Sequence, residues 1–451
     1  MRFGWKVLLL GALTLVLLLP LMLLRSLVQE RQQLAAAVRT EIAESSSRAQ
    51  RLTGPLLMLT VQQLVRIRHK KSVNGVEKET SEDVWQTERR LLAPDQLEID
   101  NTLGTEVRHR GIYTARLYRD AISITANFTV PPAPRLDADL RDWRIDDARL
   151  VLGTGDNRGI GQLALALDGK ELSAEPGTGI AWMPEGIQLA LPDERLPALA
   201  AGAHLQITGR VELAGSERIE FAPVGAETRV AIRADWPHPG FQGNHLPQSS
   251  KIDAQGFEAQ WAVSRLSSRA HQLIAQCAVT EDYCPGLDSS RFAVALVDPV
   301  DRYLKTDRAM KYALLLLVLV FGAVFFIEVL KQVRVHPLQY ALTGLALAIF
   351  FLLLLALSEH LDFGPAYALA TSACIGLIAN YMAGVLGDRR RGLAFAALLG
   401  LLFGLLFGLL QSEDYALLVG ALALFAALAS VMLLTRRLDW YRLAGSNHGG
   451  G

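Results

Sequence analysis

Six apolar runs, each close to the length of a membrane-spanning helix, constrain this chain more than any other feature. A helix needs about 20 consecutive apolar residues to cross the hydrocarbon core of a bilayer. The runs cover residues 7–24, 312–330, 338–357, 365–386, 393–410 and 415–434. The sequence therefore predicts a polytopic α-helical membrane protein with six transmembrane helices.

A long polar segment separates the first run from the other five. The overall composition, 51% hydrophobic and 20% charged residues, is the average of this water-soluble part and the membrane part. The chain carries 45 basic and 45 acidic residues, so no global field attracts nucleic acid. We expect the lipid bilayer, and no nucleic acid, as a partner.

The distribution of basic residues predicts the orientation of the spans, because short cytoplasmic loops are enriched in Lys and Arg. Loops 358–364 and 411–415 contain neither residue. Basic residues flank the other ends of the spans, at Arg2, Lys6, Lys331, Arg334, Arg389, Arg390, Arg391, Arg436, Arg437 and Arg442. Both termini are therefore predicted to be cytoplasmic, with residues 26–308 translocated. Charged residues follow the first run where a cleavage site would lie, which favours an uncleaved anchor.

Changes in periodicity predict the domain boundaries. Leu27, Leu34, Val38 and Ile42 recur near helical spacing, which indicates an amphipathic helical stalk after the first span. We divide the chain into residues 1–25 (tail and first span), 26–54 (stalk), 55–308 (translocated domain), 309–437 (five-helix membrane bundle) and 438–451 (cytoplasmic tail).

Alternating apolar residues predict the fold of the translocated domain. Ile122, Ile124, Ala126, Phe128 and Val130 alternate with polar residues, and segments 204–213 and 228–236 show the same period. Turn-forming residues separate such segments, as in antiparallel sheets. The domain is predicted to be a large antiparallel β-rich fold resembling a β-sandwich; whether it is one sandwich or two stays open.

Two cysteines of this domain, Cys277 and Cys284, are candidates for a disulfide. An oxidising compartment permits the bond, and closing so short a loop stabilises a fold by about 2–3 kcal/mol in the chain-entropy picture. Two free thiols are the alternative.

Three glycines in the fifth run share one helix face. Gly400, Gly404 and Gly408 are spaced four residues apart, and small residues at this spacing allow close helix packing in membranes. The fourth run is also rich in small residues, so these two helices are predicted neighbours. A pore lining is the alternative reading.

Segment 234–247, with the sequence ADWPHPGFQGNHLP, contains two histidines among prolines and glycines. A zinc site needs further ligands, and none lie nearby. Since proline fixes φ and removes an amide donor, the segment is predicted to form a rigid corner. Its Trp236, His238 and Phe241 form a candidate binding rim, while His245 is not a candidate, and we predict no metal site.

Acidic residues occupy both of the short loops that lack basic residues. Glu359, His360 and Asp362 follow the third span, and Glu413 and Asp414 precede the sixth. Topology places both loops on one membrane face, where such groups could bind a cation or exchange protons. Polar hairpin tips without a function are the alternative.

Other segments predict structural roles. The glycines of 153–161, GTGDNRGIG, precede an alternating strand pattern rather than a helix, which favours a turn over a phosphate loop. Glu328 lies three residues before Lys331, which predicts an interfacial ion pair. We find no common hydrolase or metalloprotease motif and predict neither catalytic residues nor a cofactor.

Nine segments that occur in order along almost the entire chain share the pattern of one family. They are GPLLMLT (54–60), RGIYTARLY (110–118), GDNRGIG (155–161), EPGTG (175–179), DWPHPGFQGNHLP (235–247), GFEAQW (256–261), DRAMKYA (307–313), HPLQYALTGLALAIFFLLLLALSEH (336–360) and LLQSEDYALLVG (409–420). Through these segments the chain resembles CreD-type inner membrane proteins of Gram-negative bacteria. The resemblance implies a multi-pass protein of the bacterial inner membrane, with residues 26–308 in the periplasm. It also implies a role in envelope integrity and bacteriocin tolerance under stress control, and it supplies no catalytic residues.

Two functional hypotheses follow from these patterns. In the first, the protein is non-catalytic, and its periplasmic β-domain binds, senses or scaffolds an envelope component or a periplasmic protein. In the second, it is a membrane enzyme or transporter that acts on a cell-wall, lipid or sugar ligand through the acidic loops. Self-association into a homo-oligomer is left open.

Overall fold

The computed structural model describes most of the chain as two compact units. One unit comprises Met1–Ala36 together with Val300–Gly451, and the other comprises Ala37–Pro299. The described residues are 3–73, 76–137, 139–277, 282–298, 302–331, 333, 335–411 and 416–436. The predicted tail 438–451 lies outside them.

Long apolar helices form the first unit, and short helices decorate the second. The helices are α1 Phe3–Ser45, α2 Leu196–Ala201, α3 Ala270–Gln276, α4 Arg302–Lys311, α5 Ala313–Lys331, α6 Pro337–Ser358, α7 Phe363–Leu386, α8 Arg389–Gln411 and α9 Ala416–Thr435. Within the described ranges, four helices are long and apolar enough to cross a membrane, and α4 with α5, bent by 45°, would make a fifth. A shorter apolar helix, Leu418–Ser430, lies in the predicted sixth run, so the count of six is not confirmed.

Helix α1 joins the predicted first span and stalk without a break. Its buried positions, Leu17, Leu21, Val28, Ala35 and Ile42, recur mostly every seven residues, which keeps them on one side of the helix. Leu34, predicted to belong to this stripe, is instead exposed. The helix ends at Ser45 and the first strand starts at Gln50, so the predicted stalk 26–54 includes the start of the β-fold.

Aromatic side chains pack the helices of the first unit. The centre of the Phe350 ring lies 4.7 Å from the centre of the Phe403 ring and 5.8 Å from the centre of the Tyr367 ring. The Tyr367 hydroxyl donates to the Phe403 carbonyl at 2.7 Å, which ties α7 to α8. Gly344 allows α1 and α5 to approach α6, because a Cβ there would lie 2.9 Å from the Phe321 ring and also meet Leu17.

Sixteen strands of the described chain form the β-fold of the second unit. They are β1 Gln50–Val73, β2 Val76–Leu92, β3 Gln96–Arg110, β4 Tyr113–Val130, β5 Leu140–Gly153, β6 Ile160–Leu167, β7 Lys170–Glu171, β8 Ala174–Pro176, β9 Gly186–Ala190, β10 Ala203–Ser216, β11 Arg218–Phe221, β12 Glu227–Ala234, β13 Pro239–Gly243, β14 Ser249–Asp253, β15 Gly256–Ser264 and β16 Phe292–Leu296.

The strands make two eight-stranded sheets. The first has the order β13-β16-β11-β1-β5-β9-β8, with β2 paired to β1, and the second has the order β14-β15-β12-β3-β4-β10-β6-β7. Most pairs are antiparallel, but β1 with β11 and β3 with β12 are parallel. One continuous hydrophobic cluster draws on both sheets, from Leu56 and Leu150 in the first to Ile124 and Ile207 in the second. The β-region is therefore one sandwich.

The alternation predicted for β4 is present, and it carries one charged residue into the core. Asp120 is separated from Ile122, Ile124 and Phe128 by even numbers of residues, so it lies with them on the buried face of the strand. The side chain is 1% exposed, and within the described chain neither carboxylate oxygen has a hydrogen-bond partner. Burial raises the pKa of Asp120 to about 8, because the charged form loses its hydration. The carboxyl is therefore protonated at neutral pH.

Asp120→Asn should remove a pH dependence of stability. In the unfolded chain the carboxyl ionises near pH 4, whereas in the folded chain it keeps its proton up to about pH 8. Its contribution to stability is therefore present below about pH 4 and is lost by about 1.4 kcal/mol per pH unit as the pH rises through this interval. The advantage of the variant over wild type should grow from pH 5 to pH 8 in urea unfolding of the full chain in detergent, followed by tryptophan fluorescence.

Asp100→Asn is the control for this experiment, since Asp100 lies on the exposed face of the neighbouring strand β3. It should shift stability by a small amount that does not change between pH 5 and pH 8. An Asp120→Asn advantage that is equally independent of pH would contradict the buried, protonated carboxyl.

Candidate functional site

The acidic loop after α6 is anchored within the first unit. Glu359 forms an ion pair with Arg31 of α1, with Nε and Oε1 3.8 Å apart, and its side chain is largely buried. His360 and Asp362 are exposed, and the other two predicted members of this cluster, Glu413 and Asp414, lie outside the described residues. The structure thus brings Glu359 to a basic residue of α1.

Glu328 also contacts α1. Its carboxylate forms an ion pair with Lys6 and accepts a hydrogen bond from the Tyr340 hydroxyl at 2.9 Å. The Lys6 ammonium further donates to the Val335 carbonyl at 3.0 Å. The described partner of Glu328 is thus Lys6, more than three hundred residues away in sequence, and not the predicted Lys331, whose side chain lies outside the described ones. The pair ties α1 to α5 and α6.

The glycine face of α8 does not make the predicted helix contact. Gly400, Gly404 and Gly408 are exposed, and a Cβ at any of them would meet no described atom within 4 Å. The prediction that they pack α8 on α7 is wrong. The two helices are neighbours through Gly392 instead, where a Cβ would lie 2.5 Å from that of Ala383.

The candidate binding rim is a corner between the two sheets. The chain leaves β12 of the second sheet and enters β13, an edge strand of the first sheet. The Trp236 indole donates to the Val297 carbonyl at 3.0 Å, and the Arg116 guanidinium lies 3.4 Å from the centre of its ring. Phe241 packs edge-on against Trp261 at 5.6 Å. Trp236 and Phe241 therefore have packing roles, and His238 is exposed.

The two histidines of this segment have separate surroundings. His238 contacts Trp236 edge-on at 5.5 Å, whereas His245 contacts Phe292 at 6.4 Å. Partial burial lowers the pKa of His245. In the part of the chain that the structure describes, no group of His, Cys, Asp and Glu could hold a metal ion.

Cys277 and Cys284 are joined by a disulfide. The bond attaches the segment 284–291 to the end of α3. Both cysteines are buried, with Leu287 beside them in the same hydrophobic cluster.

The loop 153–161 has a role that its sequence did not indicate: it clasps the junction between α1 and β1. Gln50 is fully buried there. Its amide oxygen accepts from the N–H groups of Gly155 (3.1 Å) and Asp156 (3.2 Å), and its amide nitrogen donates to the carbonyls of Asp156 (3.1 Å) and Ala214 (2.8 Å). These four bonds fix the first residue of β1 to the loop and to β10.

A bidentate ion pair completes this junction. Arg158 donates through Nε and Nη2 to the two oxygens of Asp156 at 3.0 and 2.7 Å, which lowers the pKa of Asp156 to about 2. The same guanidinium donates through Nη1 to the carbonyl of Glu44, in the last turn of α1. The N–H of Arg48 donates to Asp156 at 3.2 Å. The loop therefore caps the helix end, whose carbonyls lack partners within the helix.

Beside the junction lies a cleft of about 500 Å³. It is lined by residues within 48–53, 154–155, 182–185 and 282–291, and by Arg218. Its floor is the outer face of the first sheet, where Arg51 of β1 is directly opposite Glu220 of β11. This volume falls in the range of small-molecule sites, about 300–1,000 Å³, and the cleft is our candidate functional site.

Several charged side chains in and beside the cleft form ion pairs. Arg51 Nε lies 3.1 Å from Glu220 Oε2, and Arg218 Nη2 lies 2.6 Å from Glu220 Oε1. Arg291 donates to Asp288 and to the Thr53 hydroxyl, both at 3.0 Å. The arrangement offers positive hydrogen-bond donors that are held in place before any ligand arrives.

Sequence reasoning missed this cleft although part of its signal was readable. Inward-facing Leu52 implies that Arg51 and Thr53 point outward from β1, by the two-residue period of a strand. The parallel pairing of β1 with the distant β11 brings Arg218 and Glu220 alongside, and local sequence does not reveal that pairing.

Almost the whole chain is similar to known proteins of one family. A family model described as "Inner membrane protein CreD" matches residues 2–441. The inner membrane protein CreD of Escherichia coli (strain K12) is 34% identical over 446 residues, covering 97% of this chain and 93% of that protein.

Solved structures give a much weaker likeness. Two crystal structures of the M1 zinc metallopeptidase from Deinococcus radiodurans align with TM-scores of 0.17 and 0.16 and identities of 7% and 6%. Each alignment covers 38% of this chain and 38% of that one. Scores this low carry no argument about fold or activity.

Gly155→Ala should weaken the junction. A Cβ at this position would lie 2.5 Å from the Ala49 carbonyl oxygen and 2.9 Å from the Arg51 nitrogen, both backbone atoms. We expect a loss of about 1–3 kcal/mol, the usual cost of overpacking, in urea unfolding of the full chain. Gly104→Ala is the control, because its Cβ would be 4.0 Å from the nearest atom; equal losses in the two variants would argue against the close contact.

Lys6→Met should destabilise the first unit, because it leaves the Glu328 carboxylate without its cation in a largely buried position. Removing one partner of a buried ion pair costs about 3–5 kcal/mol. The thermal midpoint in detergent, followed by size-exclusion chromatography, should fall clearly. The double variant Lys6→Met/Glu328→Met should recover most of the loss, and a double variant as unstable as the single one would contradict the pairing.

Proposed function

The chain belongs to the CreD family of inner membrane proteins, and from that premise we propose that it is a non-catalytic envelope protein whose β-sandwich binds and senses an envelope component. In this role it supports envelope integrity and tolerance of envelope stress and of bacteriocins. The proposal combines the role that the resemblance implies with the cleft of the sandwich.

For the topology, we propose six spans with both termini in the cytoplasm and residues 26–308 in the periplasm. Support comes from the basic residues at one side of the apolar runs, such as Lys6 and Arg389, and from the lack of Lys and Arg in loops 358–364 and 411–415. The disulfide between Cys277 and Cys284 suits an oxidising periplasm.

One observation carries the sensing role: the cleft and the α1–β1 junction share residues. Arg48, Ala49, Thr154 and Gly155 line the cleft, and Arg48 and Gly155 also make the hydrogen bonds that hold the junction. A ligand that fills the cleft therefore contacts the segment where α1 becomes β1. A ligand with different affinities for two arrangements of this segment would shift the balance between them, and α1 continues from there into the apolar segment.

Cleft variants should lose function in cells that lack the wild-type protein. Tyr283, which is 61% exposed on the cleft wall, is replaced with Ala, together with Trp182→Ala. We expect survival of detergent or bacteriocin challenge to fall toward that of the null strain at equal protein levels. Leu266→Ala is the control, as this side chain is exposed outside the cleft; full complementation by the cleft variant would refute the proposal.

Variants of the acidic loops distinguish the sensing role from the enzyme or transporter hypothesis, in which these loops carry the function. Alanine at His360, Glu413 and Asp414, with Glu359 kept in its ion pair with Arg31, should leave envelope function intact if the cleft is the functional site. Loss of function at normal protein levels, with the cleft variant unaffected, would favour that alternative.

A further inference from the structure

Two arginines in the floor of the cleft share one carboxylate. Arg51 and Glu220 face each other in the register of β1 and β11, and Arg218 lies two residues before Glu220 on the same face. Glu220 receives one guanidinium on each of its oxygens, at 3.1 and 2.6 Å. These three groups alone carry one more positive than negative charge, while the other charged residues of the cleft, Arg48, Arg291, Glu185, Asp282 and Asp288, carry one more negative than positive charge. The positive surplus is therefore local to the two arginines.

The exposure of these side chains shows which groups a ligand can reach. Glu220 is 10% exposed, whereas Arg51 is 53% and Arg218 is 41% exposed. A guanidinium has five N–H donors in a planar fork, so each arginine keeps donors beyond the one directed at Glu220. Glu220 is therefore shielded from solvent, whereas Arg51 and Arg218 are accessible and have N–H donors that are not directed at Glu220.

Arg291 has a different role in the same cleft. Its side chain is 12% exposed and donates to Asp288 and Thr53. It therefore fastens the segment after the disulfide to β1. Tyr283 directly precedes Cys284, the first residue of this segment, and its exposed ring is an apolar surface in the same cleft as the arginines.

From these observations we infer that the cleft is an oxyanion site, in which Arg51 and Arg218 bind the phosphate or carboxylate group of a ligand whose body rests against Tyr283. Guanidinium forks match oxyanions in bidentate geometry, and one bound negative charge offsets the surplus of the Arg51–Glu220–Arg218 group. The remaining volume accommodates a body of about the size of a sugar. The inference rests on the proposed function and adds the chemical class of its ligand.

Titration calorimetry on the full chain in detergent tests the site directly. The probes are glycerol 1-phosphate and glucuronate, which carry the two oxyanions on small polar bodies, at constant ionic strength. We expect Arg51→Gln/Arg218→Gln to lower the affinity for the bound probe about tenfold or more, since charge-assisted hydrogen bonds are lost. Arg229→Gln, in an exposed ion pair with Glu98 on the second sheet, should change nothing.

Glu220→Gln gives a prediction of opposite sign. It removes the carboxylate that competes for the two guanidiniums, so affinity for the probe should rise several-fold. A purely structural role of the three residues predicts no gain. No binding of either probe to wild type, or binding unaffected by the double arginine substitution in a protein with a normal unfolding midpoint, would overturn the inference.

Vesicles separate the two sources of the oxyanion. Binding to vesicles containing phosphatidylglycerol but not to pure phosphatidylcholine, lost with Arg51→Gln/Arg218→Gln, would assign a lipid headgroup. Probe binding without vesicle binding would assign a soluble or cell-wall ligand. Both outcomes support the oxyanion site.

The proposed function can fail separately from this inference. If the double arginine variant loses probe binding yet fully complements the null strain, the oxyanion site stands and its role in envelope function falls. The reverse outcome separates them as well. If the Tyr283→Ala/Trp182→Ala variant loses envelope function while the Arg51→Gln/Arg218→Gln variant binds the probe with wild-type affinity, the proposed function stands and the oxyanion site is refuted.

Discussion

The β-sandwich depends on how the chain passes from a helix into a sheet within a few residues. Ser45 ends α1 and Gln50 begins β1, so the final carbonyls of a helix and the N–H groups of a tight loop need partners in one small, buried volume. The Gln50 amide satisfies groups of Gly155, Asp156 and Ala214, and Arg158 takes the carbonyl of Glu44. Because β1 then pairs with β2, β5 and β11, the position of this junction sets the first sheet.

Bilayer thickness and strand alternation made much of the architecture predictable. Run length alone locates the long apolar helices, and the period of two in residues 122–130 reveals the buried face of β4. The stripe at Gly400, Gly404 and Gly408 failed as a packing prediction because spacing defines a helix face without stating what that face meets. The contact at Gly392 depends on Ala383, and a glycine next to three arginines gives no packing signal.

The cleft was less accessible to sequence reasoning, for a topological reason. Its floor needs Arg51 beside Glu220, and that neighbourhood exists only because β1 pairs in parallel with a strand far along the chain. The loop 153–161 was read as a turn, which describes its backbone, but its partners at Gln50 and Glu44 lie more than one hundred residues earlier. Local sequence patterns indicate which side chains are buried and to which face of a strand they point. A site assembled from distant strands can be predicted only when the pairing of those strands is known.

The position of the oxyanion site next to the junction gives the proposed sensing a physical basis. The single carboxylate of Glu220 pairs with two guanidiniums. An oxyanion that binds Arg51 competes with Glu220 for its N–H donors and so weakens the contact of Arg51 with β11. Arg51 follows Gln50 directly, and Gln50 anchors the junction. A redistribution of bonds at Arg51 therefore acts on the strand whose first residue is bonded to the loop that caps α1. Helix α1 is unbroken from Phe3 to Ser45. It is therefore the most direct covalent connection between the residues beside the cleft and the apolar run 7–24.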